Sequence, residues 1–397
     1  MLQCRPFLDR LRQKSVKSTP FSAIFLWVLL GSLHAALAAE APPIPAPPEI
    51  GAKAYLLMDY HSGRVLAEAN ADQPMEPASL TKIMTAYVVF RELAKGNLHL
   101  DDLVTVSEKA WKTEGSRMFA QVGSKIAVEN LLKGMIVQSG NDASVALAEH
   151  IAGDEAVFAQ LMNQNAERLG LKNTHFKNSM GLPDPDHYST ARDLALLTRA
   201  MIEEFPEFYK WHAIKEFTFN NIKQINRNRL LWRDPSVDGV KTGHTEGAGY
   251  CLVTSAMRDN MRLIAVVLGA KSDSERANAN QALLNYGFRF YETRPLYKAG
   301  EKLAEARIWK GAESRVPVGL SRDFAVTFPR GQYASLKAGM ELSTDGVAPI
   351  KPGDKLGVVK VVYNNETIAQ QDLVALKAVP EGGVFRRWFD QARLLFK

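Results

Sequence analysis

Three short clusters hold the residues whose types and spacing can do chemistry. In Ser79-Leu80-Thr81-Lys82 a hydroxyl and an amine stand three positions apart. On a helix such positions share a face, so the two groups can meet. Leu80, Ile83, Met84, Tyr87 and Val88 recur at helical spacing, which predicts a helix beginning near Ser79 with an apolar stripe beside both groups. A lysine at the edge of a dry core gives up its proton more readily than in water and can serve as a base toward the serine. The serine would sit at the helix N-terminus, where developing negative charge is favoured. About one match to so short a pattern is expected by chance in a chain of this composition, so it does not stand alone.

The second cluster, Ser139-Gly140-Asn141, falls between two predicted helical runs, Val128–Gln138 and Asp142–Ala152. Such a loop can present a hydroxyl and an amide to a cleft. It reads equally as a glycine C-cap followed by an asparagine N-cap. The third is Lys241-Thr242-Gly243-His244, at the end of a predicted strand, Ser236–Thr242. Chance supplies only about 0.07 matches to Lys-Thr-Gly. A cation, a hydroxyl and a glycine suit a substrate carboxylate through charge, hydrogen bond and close backbone approach. Strand period two sends Lys241 and Thr242 to opposite faces, so both serve one site only if the strand borders it edge-on.

These clusters need elements to position them. The chain has 397 residues, 46% hydrophobic and 23% charged, enough for two or three domains with buried cores. Lys53–Asp59 and Arg64–Glu68 read as a hairpin about Tyr60-His61-Ser62-Gly63. Residues 125–215 read as mainly helical, with a capping-box-like Thr190 and Asp193. Strands return at Ser236–Thr242, Tyr250–Met257 and Met261–Leu268, and a helix follows over Glu275–Tyr291. That order predicts an α+β domain, an antiparallel sheet with an inserted helical part, over residues 51–294. From 295 to 381 short β-rich runs, Ala325–Phe328, Tyr333–Leu336 and Leu356–Tyr363, alternate with turns such as Asn364-Asn365. They predict a small all-β sandwich domain.

Both ends of the chain carry their own signals. Residues 1–38 read as an export signal: Arg5, Arg10, Arg12, Lys14 and Lys17, an apolar run Ile24–Leu30, and Ala36-Leu37-Ala38 as a cleavage site. Most of the +6 net charge lies there, so the pI of about 9.1 does not point to nucleic acid. Residues 39–50 form a proline-rich leader. The exported chain keeps only Cys251, which rules out an internal disulfide and reads as a small core residue. Eight His without metal-ligand spacing predict no metal, and no phosphate-cradling loop is present, so no cofactor is expected. In the tail, residues 382–397, Phe385, Trp388, Phe389, Ala392, Leu395 and Phe396 share one helical face opposite Arg386, Asp390, Arg393 and Lys397. That helix is too short to span a bilayer and is expected to lie on a membrane surface. A terminal helix docked on the protein itself is the alternative.

Taken together and in this order, the clusters resemble the serine-type D-alanyl-D-alanine carboxypeptidases, the low-molecular-mass penicillin-binding proteins with Ser-Gly-Asn as the middle element. The flanks Pro77–Thr85 and Asp238–Thr245 share the likeness, as do Phe217–Trp232, Gly181-Leu182-Pro183-Asp184 and Tyr188–Asp193. The resemblance implies a penicillin-binding/serine β-lactamase-like catalytic domain acting on peptidoglycan stem peptides, with β-lactams as covalent inhibitors. It implies Ser79 as nucleophile, Lys82 as its base and Ser139 as proton relay. Asn141 would hold Lys82 and the substrate amide; Lys241, Thr242 and Gly243 would face the terminal carboxylate, with His244 beside them. Arg276 and Arg227 are further candidates for carboxylate or strand-edge contacts, or are simply solvated. The implied location is the bacterial envelope, at the periplasmic face of the cytoplasmic membrane. A D,D-endopeptidase, a serine β-lactamase and a non-catalytic cell-wall-binding scaffold are the rival functions. No Glu-x-x-Leu-Asn segment follows Ser139 to activate a deacylating water, which argues against the β-lactamase.

Overall fold

The computed structural model describes residues 44–343 and 346–394. The expected export signal, the start of the leader and the last three residues of the tail lie outside these. The leader's remainder is irregular coil; Ile44 and Ile50 pack on the core, and Pro45 O accepts from the Tyr286 hydroxyl at 3.1 Å.

The first part of the described chain is built on one antiparallel sheet. Its strands are β1 (Ala54–Asp59), β2 (Val65–Ala69), β3 (Val237–Thr245), β4 (Gly249–Arg258) and β5 (Met261–Ala270), in the order β2-β1-β5-β4-β3. Strands β4 and β5 are rich in Val, Ile, Leu and Ala because both faces are covered. One face carries helix α6 (Asp273–Phe290), and the other carries the inserted helices. In sequence order β3 opens the chain's return to the sheet, and it lies at the sheet's edge. Its open side therefore borders the helical part.

That part contains α1 (Lys82–Ala94), α2 (Val128–Lys133), α3 (Asn141–Ala152), α4 (Glu155–Arg168) and α5 (Ala191–Glu204). A stripe was expected on α1, but every residue from Lys82 to Phe90 is buried. The helix is packed among α3, α4, α5 and β3, so no face is left for water. The capping expectation holds: Thr190 Oγ1 accepts from the Asp193 N–H at 3.0 Å.

After α6 the chain continues into β-structure. Strand β6 (Tyr291–Tyr297) pairs with β9 (Phe324–Pro329); β7 (Ala304–Arg307), β8 (Arg315–Gly319), β10 (Lys337–Leu342), β11 (Lys355–Tyr363) and β12 (Glu366–Ala375) form a second sheet ordered β7-β8-β12-β11-β10. Val316, Val318, Val326, Phe328, Val359, Val361 and Leu373 share its core. Asn364 and Asn365 both take positive φ, 48° and 64°, and turn β11 into β12. Tyr333–Ser335, expected within a β run, is a 3₁₀ turn instead. It caps the core edge with Leu336 rather than pairing.

The terminal helix α7 (Val384–Leu394) meets the protein by its polar side. Asp390 accepts from Lys310 N at 2.7 Å and Arg386 donates to Ala312 O at 2.9 Å. Phe385 and Trp388 remain 91% and 73% exposed, so α7 does not bury its apolar face on this chain.

Candidate active site

All three clusters converge on one cleft of about 430 Å³ between the edge strand β3 and the helical part. Ser79 lies in a 3₁₀ turn, Ala78–Thr81, that runs directly into α1. A tight turn keeps the i, i+3 pair stacked, and Lys82 Nζ lies 3.0 Å from Ser79 Oγ. The residue before the serine, Ala78, holds a positive φ of 47°. Such backbone costs roughly 1–3 kcal/mol and persists where surrounding packing over-determines it.

The packing here comes from two close approaches. Gly181, at φ +91°, faces the Ser79 turn so tightly that a Cβ would sit 1.8 Å from Ala78 O. From the other side a Cβ on Gly243 would lie 3.0 Å from Pro77 O. The turn is thus held between the 178–182 loop and β3.

Lys82 is 1% exposed. Besides Ser79 it donates to Asn141 Oδ1 at 2.7 Å and to Met180 O at 2.6 Å. A neutral amine has two N–H bonds and one lone pair. With Asn141 and Met180 accepting the two hydrogens, the lone pair is left for the Ser79 proton. Burial, reinforced by the Arg227 charge and opposed by Asp142, lowers the Lys82 amine to about 7. The neutral form is therefore accessible near neutral pH.

Each acceptor is itself secured. Asn141 Nδ2 donates to Glu114 O at 2.6 Å, which fixes its oxygen toward Lys82. Asp142, buried beside it, accepts the Met118, Ala120 and Ala143 N–H groups. Met180 is placed by Asn178, whose Oδ1 accepts from Gly181 N at 2.7 Å, and by Thr85, which donates to Ser179 O. His187 accepts from Lys177 N at Nδ1, so its Nε2–H donates to Thr81 Oγ1 at 2.8 Å. Burial lowers His187 to about 4, which keeps that neutral tautomer.

On the opposite wall Lys241 Nζ donates to Ser139 Oγ and to Thr242 O, both at 2.9 Å. Burial, then Lys82, Arg227 and Arg276, push this amine well below the ordinary lysine range. Ser139 lies at the end of a π-helical turn, Gly134–Gln138, and takes the left-handed conformation with φ 66°. The expected C-cap glycine is thus a serine: Gly140 has φ −58°, and Ser139 carries the turn. Its hydroxyl is aimed across the cleft by a backbone conformation that serine does not favour.

The edge-on condition is met, since β3 borders the cleft. Thr242, Gly243 and His244 line it, while Lys241 reaches Ser139 from behind. His244 is exposed and its ring lies 4.1 Å from that of Tyr250. Arg276 is buried, not solvated; it donates to Gly243 O at 2.9 Å, to Cys251 O at 3.2 Å and to Asp273. It braces the strand that carries Thr242. Arg227 is exposed at the cleft wall and, among the described residues, makes no hydrogen bond or ion pair. No carboxylate lines the cleft among the described residues, and no His/Cys/Asp/Glu group there could hold a metal.

Sequence reasoning missed Met180, Asn178 and Asp142. A backbone carbonyl has no residue signature, and a buried aspartate joined to main-chain N–H groups reads in sequence as an ordinary helix-start acid.

The same constellation exists in known proteins. Residues 41–272 match the family model described as D-alanyl-D-alanine carboxypeptidase, and residues 291–381 match the C-terminal domain of penicillin-binding protein 5. The chain is 46% identical over 390 residues to D-alanyl-D-alanine carboxypeptidase DacC of Escherichia coli K12, covering 95% of this chain and 98% of the relative. It is 43% identical over 361 residues to DacA of the same organism, covering 89% and 90%. The crystal structure of penicillin-binding protein 5 from Haemophilus influenzae superimposes with a TM-score of 0.81 at 43% identity, covering 85% of this chain and 100% of that one. Two serine–lysine pairs facing each other across a sheet edge, in a chain alike over nearly its whole length, lead to one conclusion: this protein belongs to the D-alanyl-D-alanine carboxypeptidase family, as a penicillin-binding serine peptidase with a penicillin-binding protein 5-type C-terminal domain.

Proposed function

We propose that Ser79 is the acylated nucleophile in removal of the terminal D-alanine from peptidoglycan stem peptides. The observation that carries this is the Lys82 amine, 3.0 Å from Ser79 Oγ with its other two positions held by Asn141 and Met180. Neutral Lys82 takes the serine proton as Oγ attacks the carbonyl between the two D-alanines. The oxyanion forms beside the Ser79 N–H. The leaving amine takes a proton from Ser139, which is resupplied through the Lys241 contact at 2.9 Å. Water then hydrolyses the ester and restores the Ser79 hydroxyl.

Thr242 and Arg227 receive the substrate's terminal carboxylate, with the Lys241 charge behind them. Gly243 lets the substrate backbone lie close, His244 closes the pocket, and Arg276 keeps the strand straight. With no carboxylate lining the cleft among the described residues to activate a deacylating water, a penicilloyl ester on Ser79 is turned over slowly. Labelled penicillin tests the assignment: wild type becomes covalently labelled and Ser79→Ala, still folded, does not. Label retained in the mutant rules out Ser79.

The same reading extends to location. Residues 1–38 act as the export signal, 51–294 as the catalytic domain and 295–381 as the β-rich domain. The tail, 382–397, rests on the periplasmic face of the cytoplasmic membrane. The outward Phe385, Trp388 and Phe389, 91%, 73% and 59% exposed, support this. Burying such a side chain contributes up to about 1.5–3 kcal/mol, enough in sum for reversible attachment.

A further inference from the structure

Arg227 and Lys241, the two cations assigned to the substrate carboxylate, serve a cleft that no acidic side chain lines among the described residues. Beyond burial, the charges of Lys82, Arg227 and Arg276 all make a proton on Lys241 costlier. Like charges in a dry cleft repel, so neutral groups must hold the backbones that carry them. Asn228, 1% exposed, follows Arg227 directly, and its Nδ2 donates to Gly239 O at 3.0 Å, two residues before Lys241. Its Oδ1 accepts from Leu230 N at 3.1 Å, which fixes the orientation of the amide. The Asn228 N–H donates to Asn226 Oδ1 at 3.0 Å, and Asn226 Nδ2 donates to Ile214 O at 3.0 Å. Arg227 thus sits between two tied asparagines, one of them fastened to β3. The strand is approached so closely here that a Cβ on Gly239 would lie 2.6 Å from the Tyr209 hydroxyl oxygen.

The next carbonyl is taken by His212, 1% exposed on the 3₁₀ turn Lys210–Ala213, whose Nδ1 lies 3.0 Å from Val240 O. A carbonyl only accepts, so Nδ1 carries the hydrogen. Burial lowers His212 to about 4, so the ring is neutral and Nε2 holds a lone pair that meets no donor among the described residues. A buried acceptor without a partner costs stability. Packing beside the Tyr209 and Phe90 rings, 5.5 and 6.4 Å away, would suit a phenyl group better. What the imidazole supplies there is the bond to Val240 O.

We infer that Asn228 and His212 are positioning residues for carboxylate recognition: by holding the Gly239 and Val240 carbonyls they set where Lys241 stands, and Asn228 ties Arg227 to the same strand. With Arg276 on Gly243 O, β3 is pinned on both sides of Lys241 and Thr242. Neither Asn228 nor His212 lines the catalytic cleft. The inference rests on the carboxylate reading of Lys241 and Arg227 above.

The test measures kcat/KM of the full chain on a peptide ending in D-alanyl-D-alanine and on its C-terminal amide. Saturating labelled penicillin counts the active sites, so that unfolded protein drops out of the comparison. A displacement of about 1 Å can cost about 10²-fold in rate. Asn228→Ala should therefore lose about 30-fold on the free acid and His212→Phe about tenfold, while both stay within about threefold of wild type on the amide. His212→Asn, whose side-chain N–H can take the place of Nδ1–H, should recover to within about threefold of wild type on the acid. Equal losses on acid and amide overturn the inference, because the two residues would then shape the site as a whole. His212→Asn as slow as His212→Phe overturns the part assigned to the Val240 bond. If Asn228→Ala yields no countable sites, the two His212 variants decide the matter by the same criteria. A wild type that does not prefer the free acid to the amide would instead sink the carboxylate reading itself.

Discussion

The cleft carries two serine–lysine pairs built in opposite ways, one within the helical wall and one joining that wall to the sheet edge. Ser79 and Lys82 are three residues apart on one tight turn, while Ser139 and Lys241 are 102 residues apart and meet only across the cleft. The Lys82 amine has two fixed acceptors beyond its serine; Lys241 has the Thr242 carbonyl. Loss of a proton from Lys82 therefore leaves its hydrogen bonds intact and frees a lone pair for Ser79. The same loss relieves the repulsion on Lys241, whose amine then keeps its proton more readily and serves as a donor. Two identical side chains in one dry cleft acquire different roles by position: one sits a turn from Ser79 with two acceptors fixing its hydrogens, and the other reaches Ser139 from the edge strand.

Breaking the helical pair should have the largest effect. Lys82→Ala removes the base, and acylation by peptide or penicillin should fall by about 10³-fold or more. Lys82→Arg should fall as far, because a guanidinium stays protonated. If either variant acylates at near wild-type rate in stopped-flow labelling, the two walls do not differ as described.

Breaking the opposite pair should separate recognition from proton transfer. Lys241→Ala should cost about 10²-fold in kcat/KM for peptides with a free terminal carboxylate and little for amidated analogues. Equal losses would mean that Lys241 acts through Ser139 alone.

The pH profile sharpens the comparison further. Acylation needs neutral Lys82, so its rate should climb with pH through about 7, the value to which burial and Arg227 lower this amine. Removing the Arg227 cation makes protonated Lys82 less costly, raising its pKa. In Arg227→Ala the acid limb should therefore move to higher pH, with roughly severalfold less activity on its rising part. A limb that stays in place, measured by penicillin acylation to avoid the carboxylate role, would remove Arg227 from the control of Lys82.

The smallest effect is expected where neither wall is touched. Truncation after Glu381 should leave activity on small peptides unchanged and abolish sedimentation with membranes. A truncated, signal-processed protein that still sediments would exclude the tail as anchor.

Much of this site was legible in the chain because its chemistry is carried by side chains in short runs. The Ser79–Lys82 spacing, the β3 cluster and the Thr190 cap are local, and each behaves as its spacing requires. Arg276 shows where that stops. Its sequence surroundings are those of a solvated helix start, and only the closeness of α6 to β3 turns it toward the Gly243 carbonyl. Met180 contributes through a carbonyl that any residue would carry, so the sequence holds no mark of it. Ser139 was expected beside a glycine cap, yet the turn assigns the left-handed position to the serine itself.

The sequence by itself determined the residue types, the one-turn contact of Ser79 with Lys82, and the change to a β-rich second part. These follow from dihedral periodicity, which acts over a few residues. Tertiary structure alone decided that Lys82 would be fully enclosed, that Ser139 would meet Lys241, and that Arg227 would face the cleft without a hydrogen-bond or ion-pair partner among the described residues. Such outcomes depend on desolvation and on charges brought together from distant parts of the chain, and both exist only once the sheet edge and the helices have closed on each other.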